Sequence, residues 1–241
     1  KYLFLIFLKC ARFEAIARIC VHFLEVLLIY IFYAINTVDV FLNNFLIFLE
    51  KGLLKMNVKN AIILHGTGET PKSFWYEYIE KNLKQVGYIV WLPQLPNKDK
   101  PTVKEQVRYI HSQGLIFSDT VIIAHSAGVP LTLSIIESLN DRKIKQAILV
   151  AGFVEPLRGG EEGPNLILQK SYNWGKIKSN VEDIILIHSD NDPWGCDYKQ
   201  GLKIFEKLGG NLIIMHNQGH FGSNTFNQPY KEFPFLLKLV E

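Results

Sequence analysis

The chain has 241 residues, enough for one full-sized domain with its own core and a small appendage, and too few for two equal domains. Twenty-six lysine and arginine residues against twenty-three acidic ones leave a net charge of +3, without the concentrated positive charge that gripping a phosphate backbone requires, so no nucleic-acid partner is expected. Cys10, Cys20 and Cys196 are odd in number and contain no C-x-x-C pair, so they imply neither a disulfide framework nor a zinc site, and a reducing, cytoplasmic setting is expected for the catalytic part.

Residues 1–55 hold eight of the sixteen phenylalanines, with no proline, tryptophan, serine or methionine. The first methionine is Met56, just before an apolar run that reads as an opening strand. Stretches free of charge run from Tyr2 to Leu8, Val26 to Val38 and Val40 to Leu49, all short of the roughly 20 apolar residues that span a bilayer as a helix. At 100° per residue, Glu14, Arg18, His22, Glu25, Asn36, Asp39, Asn43 and Glu50 fall on one narrow face, the pattern of an amphipathic helix. Two readings stay open for 1–55: an apolar helical anchor that contacts a membrane through residues 1–50, or an upstream extension outside the genuine coding sequence. A secretory signal is disfavoured, because no short apolar core leads to a small-residue cleavage site.

From residue 56 to residue 241, short β-branched runs alternate with longer mixed stretches, which predicts parallel strands separated by helices, an α/β domain. Strands are expected at Ala61–His65, Tyr88–Leu92, Thr120–Ala124, Gln146–Ala151, Ile184–His188 and Asn211–His216. Each is nearly all apolar, as for strands covered by helices on both faces in a three-layer αβα sandwich. Helices are expected at Ser73–Val86, Val103–Ser112, Val129–Leu139, Tyr198–Leu208 and Tyr230–Leu239. Val154–Val181, rich in glycine and proline, reads as an irregular insert facing the substrate.

The sharpest signal is Val121-Ile122-Ile123-Ala124-His125-Ser126-Ala127-Gly128, a buried strand running into small-x-Ser-x-small and then a helix. A nucleophile elbow needs that pattern, because strand and helix nearly touch around the serine. Alone the motif is weak; its context must supply a base and an acid, in the chain order Ser, Asp or Glu, His. Asp192, in Ser189-Asp190-Asn191-Asp192-Pro193 just past a strand, is the expected acid, with Asp190 as the fallback. His220, in Gly219-His220-Phe221 after the last strand, is the expected base. His125 adjoins the serine and is expected to point elsewhere, while His65 and His188 sit at strand ends and read as packed or supporting groups. An acyl-transfer serine also needs amide donors for the developing oxyanion. These are expected from the backbone N–H of Ala127 and, in His65-Gly66-Thr67-Gly68-Glu69-Thr70, of Thr67.

Trp194, two residues beyond the expected acid, is the substrate-pocket candidate. Neither nucleotide glycine motif is completed, and no metal-binding spacing is present, so no cofactor and no metal are expected.

Several blocks in one order then resemble a family: Ile62-Ile63-Leu64-His65-Gly66-Thr67-Gly68, Phe74-Trp75, Leu92-Pro93-Gln94-Leu95-Pro96-Asn97, His125-Ser126-Ala127-Gly128, Trp174-Gly175-Lys176-Ile177, Ser189-Asp190-Asn191-Asp192-Pro193 and Gly219-His220-Phe221. From Met56 to about Val240 the chain resembles the small single-domain serine hydrolases typified by retinoblastoma-binding protein nine and its bacterial relatives. The resemblance implies an α/β-hydrolase fold without a large cap, a triad of Ser126, Asp192 and His220, no cofactor, and esterase-like or peptidase-like action on a small-molecule or peptide acyl substrate. Two departures stand out: Ala124 at the first small position of the elbow, and Trp194-Gly195-Cys196 after Asp-Pro, where relatives usually carry a more apolar, proline-containing turn. The expected function is cleavage of small esters or amides through an acyl-enzyme. The rival is an inactive hydrolase fold serving as a binding module, tethered to membrane if 1–55 anchors it.

Overall fold

The computed structural model describes residues 21–32, 42, 59–115, 117–140, 143–157 and 163–240. The chain divides into two compact units, Lys1–Asn57 and Val58–Glu241. In the first, residues 21–32 are helical and exposed, with His22 and Glu25 3.8 Å apart on one side; the other members of the expected polar stripe lie outside the described residues. No helix among the described residues is long and apolar enough to cross a membrane.

The second unit runs β1 (Asn60–Leu64), α1 (Tyr76–Gln85), β2 (Ile89–Trp91), α2 (Val103–Ser112), β3 (Thr120–His125), α3 (Gly128–Ser138), β4 (Ile144–Val150), a 3₁₀ turn (Gly163–Ile167), α4 (Trp174–Ser179), β5 (Val181–Ser189), α5 (Tyr198–Leu208), β6 (Asn211–Met215) and α6 (Pro234–Leu237). All pairings are parallel, in the order β2-β1-β3-β4-β5-β6. Every residue of β3 is buried, as the unbroken apolar run requires of a central strand covered on both faces. From β1 the chain first moves outward to β2, then returns to the other side of β1 as β3. That reversal is the switch point at which open α/β sheets leave a crevice above the strand ends.

The expected α/β sheet is present, with differences at the element ends. The helix expected at Tyr230–Leu239 shrinks to Pro234–Leu237, because Pro234 lacks an N–H and holds Phe233 out of helical geometry. The helix expected from Ser73 starts at Tyr76, since Phe74 sits at φ +49°. The insert contains the 3₁₀ turn and α4, whose Asn173 side chain caps it by accepting from Lys176 N–H. β5 starts three residues earlier than expected, where Val181 pairs with Ile144.

Candidate active site

Ser126 stands between the last residue of β3 and α3, at φ +52°. A non-glycine residue in this left-handed region costs about 1–3 kcal/mol and persists only where its surroundings enforce it. Here its N–H donates to Val150 O at 3.0 Å and its carbonyl accepts from Val129 N–H at 3.0 Å. A Cβ built on Gly128 would lie 2.5 Å from the carbonyl oxygen of Leu64, so the second small position must be glycine. The first tolerates a methyl: Ala124 is fully buried between Leu64 and Leu149.

Asp192 follows β5 and His220 follows β6. The His220 Nδ1–H donates to Asp192 Oδ2 at 2.6 Å, with both side chains buried. The second carboxylate oxygen accepts from Trp194 N–H at 2.8 Å, and His220 N–H donates to Gln228 Oε1 at 2.9 Å. Gly219, at φ +59°, lies so close to that glutamine that a Cβ would overlap it. Ser126 and His220 line one cavity of about 220 Å³, and among the described residues no hydrogen bond joins them. Asp190, the fallback acid, is engaged elsewhere: it takes His216 at 2.5 Å and Asn217 N–H at 2.9 Å. The Asn217 N–H first, and His216 second, hold its carboxyl below the ordinary range.

Thr67 lines the same cavity, and among the described residues neither Thr67 N–H nor Ala127 N–H donates a hydrogen bond. The turn carrying Thr67 is pinned on both sides. Gly66 N–H donates to Glu69 Oε2 at 2.6 Å, and Gly68 N–H donates to Lys98 O at 2.7 Å. His65 braces it from below, with Nδ1–H donating to Gly66 O at 2.9 Å and Nε2 accepting from Leu95 N–H at 3.0 Å. These partners require the neutral ring, and burial indeed lowers its pKa.

Sequence reasoning missed a buried group beside the site. His125 Nε2–H donates to His220 O at 2.7 Å, and its Nδ1 faces Tyr76 Oη at 2.6 Å and Glu69 Oε2 at 3.3 Å. The Tyr76 hydroxyl donates to the same Glu69 oxygen. Residues 69, 76 and 125 form no spacing motif; the available signal was an acidic residue inside a glycine-rich turn, followed by an aromatic cluster.

Trp194 lines the cavity with Phe74, Leu157 and Pro164. Its Nε1–H donates to Ser223 Oγ at 3.3 Å. His188 is a packed group: Nδ1–H donates to Cys196 O at 2.9 Å, and its ring is so close to Gly201 that a Cβ there would lie 2.4 Å away. Among the described residues, Asp192, Cys196 and His220 place one ligand-type atom each within 4.8 Å of the others. Two of these atoms already bond each other, and burial first, then Asp192, pushes the Cys196 thiol well up, so a metal-binding thiolate is disfavoured there.

Comparison with known proteins agrees with this architecture. The chain is 25% identical over 167 residues to the serine hydrolase RBBP9 of Rattus norvegicus, covering 68% of this chain and 87% of that one. It is 25% identical over 170 residues to the hydrolase YdeN of Bacillus subtilis, described as putative, with 68% and 86% covered. The solved structure of the B. subtilis ydeN product superposes with a TM-score of 0.68 at 22% identity, over 76% of this chain and 96% of that one. Est1E from Butyrivibrio proteoclasticus, solved with ferulic acid bound, shares the fold at a TM-score of 0.56 and 15% identity, over 76% and 91%. The family model described as serine hydrolase matches residues 61–239, and the chain belongs to that serine hydrolase family.

Proposed function

We propose that Ser126, His220 and Asp192 are the nucleophile, base and acid of a two-step acyl transfer on small esters or amides. The observation that carries this reading is the 2.6 Å bond from His220 Nδ1–H to the buried Asp192 carboxylate, in a cavity that also holds the strained Ser126. That bond fixes the tautomer, leaving the Nε2 lone pair to take a proton.

Ser126 Oγ attacks the substrate carbonyl while His220 Nε2 takes its proton. The oxyanion of the tetrahedral intermediate accepts from Thr67 N–H and Ala127 N–H, each worth about a hundredfold in turnover. His220 then hands its proton to the leaving alkoxide or amine as the C–O or C–N bond breaks, leaving an acyl ester on Ser126. Water, deprotonated by the same nitrogen, attacks that ester, and the serine leaves with the proton back on Oγ. Asp192 stays ionised and steadies the imidazolium at each stage.

Phe74, Leu157, Pro164 and Trp194 offer apolar walls, and among the described residues no lysine or arginine lines the cavity. This favours a short, uncharged acyl group over an anionic one. Work in the cytoplasm fits the buried free thiol of Cys196.

Turnover of p-nitrophenyl acetate, butyrate and dodecanoate tests the reading. Acetate and butyrate are expected to be cleaved and dodecanoate poorly, with Ser126→Ala lowering kcat on the order of 10⁴-fold or more. A folded wild-type chain that cleaves none of them would favour the non-catalytic binding module, and a Ser126→Ala variant of unchanged rate would overturn Ser126 as the nucleophile.

A further inference from the structure

We propose that Glu69, Tyr76 and His125 act as a positioning clamp, a buried carboxylate–phenol–imidazolium chain that ties the oxyanion turn to the backbone of His220. The proposal rests on the triad reading above and extends it to three residues that do not touch substrate in that mechanism. The chain is continuous. It begins at Gly66 N–H, 2.6 Å from Glu69 Oε2, passes through the Tyr76 hydroxyl to His125 Nδ1 at 2.6 Å, and ends at the His220 carbonyl, 2.7 Å from His125 Nε2. One end holds the turn that carries Thr67; the other holds the residue that carries the base. The His125 ring also lies against the His220 ring, with centroids 4.8 Å apart.

The proposed placement of the protons follows from matching donors to acceptors along the chain. His125 Nε2 faces a carbonyl, which only accepts, so it carries a proton. Glu69 Oε2 faces Gly66 N–H, the Tyr76 hydroxyl and, at 3.3 Å, His125 Nδ1, three donors that suit an ionised carboxylate. Tyr76 spends its single proton on Glu69, so its oxygen accepts from His125 Nδ1–H. The ring is therefore a cation paired with a carboxylate, and the cluster is neutral as a whole. Asp192 and His65 are the other titratable groups that act on this ring, and His220 acts on Glu69.

The surroundings agree with that assignment. Burial pushes Glu69 up, but the charge and hydrogen bond of His125 and the Tyr76 hydroxyl outweigh it, and the net shift is downward. Burial pushes His125 down, yet Glu69 and the His220 carbonyl outweigh it, and the net shift is upward. A charge-assisted bond is shorter and stronger than a neutral one. That gives the His220 backbone a firmer hold than an ordinary histidine would.

The test uses the full chain. In ¹⁵N NMR spectra, assigned with His125→Asn, both ring nitrogens of His125 are expected to keep their protons at a pH above the ordinary histidine value of 6.5. Glu69→Gln keeps the shape and can still accept from Gly66 N–H, but it removes the counter-charge. It is expected to bare one His125 nitrogen and to lower kcat for p-nitrophenyl acetate about tenfold or more, with little change in KM. Tyr76→Phe leaves the carboxylate 3.3 Å from Nδ1, so it should keep the cation and lose less. A wild-type His125 with one bare nitrogen, or a Glu69→Gln variant with wild-type kcat, overturns the clamp. A wild-type chain with no turnover contradicts the triad reading instead, and the ring nitrogens still decide the charge state.

Discussion

At Ser126 the backbone is held at φ +52°, and the same residue lines the cavity that His220 shares. The neighbouring carboxylates show what residue identity alone leaves undecided. Asp190 and Asp192 both follow β5, and either suits an acid; only the coordinates show that Asp190 binds His216 while Asp192 binds His220. Asp192→Asn would leave the shape intact but permit the wrong tautomer, and a loss in kcat on the order of 10⁴ is expected from steady-state rates. If His220 is the general base it acts as the neutral ring, so activity is expected to fall on acidification; a flat profile from about pH 5 to 8 would contradict that role. Glu69 and His125 give a stability test. A lowered Glu69 stabilises the fold above its ordinary 4.5, and this is lost as pH falls through the lowered value. A raised His125 stabilises it fully below its ordinary 6.5, and this is lost as pH rises through the raised value. The Tm gap between wild type and Glu69→Gln should therefore be widest between pH 4.5 and 6.5, and thermal melts across pH check it. This cluster was not legible in the sequence, because its members meet only when the turn after β1, the start of α1 and the end of β3 fold together.

At the scale of elements, β3, α3 and the turn between them do the positioning. The strands could be read because each is an apolar run bounded by turn formers, and their burial follows from the sheet being covered. Helix ends were harder to read, because they depend on contacts the periodicity does not see. Phe74 at φ +49° packs where a Cβ on Gly222 would lie 2.4 Å from its ring, and that contact delays α1. Gly128→Ala tests the contact between α3 and β1. Its methyl would meet the backbone carbonyl of Leu64 at 2.5 Å, so α3 must shift or strain. A loss of about 1–3 kcal/mol in denaturant unfolding is expected, together with weaker turnover, because the serine rides on that helix. Unchanged stability would mean the elbow is looser than the structure shows.

For the whole molecule, the order of strands matters more than any one of them. With β1 and β3 adjacent at the switch point, the turn bearing Thr67 and the elbow bearing Ser126 open onto one crevice, while β5 and β6 deliver Asp192 and His220 to the same rim. Ser126, Asp192 and His220 could be singled out because each stands just past an apolar strand, in the chain order that hydrolases of this fold use for nucleophile, acid and base. Residues 1–55 had no such framework. Their sequence suggests a polar stripe at helical spacing, of which His22 and Glu25 lie among the described residues; if the segment anchors the chain, deleting it should move the protein out of the membrane fraction. The hydrolase unit, Val58–Glu241, carries its own sheet and core, so residues 56–241 alone are expected to unfold cooperatively.

The most direct test is covalent. The chain is treated with a fluorophosphonate, which reports an activated serine by forming a bond to its oxygen, and the adduct is located by peptide mass spectrometry. A single adduct on Ser126, absent from the heat-unfolded chain and from Ser126→Ala, is the expected result. A folded chain that stays unlabelled, or one labelled at another serine, would contradict the assignment of Ser126 as the nucleophile.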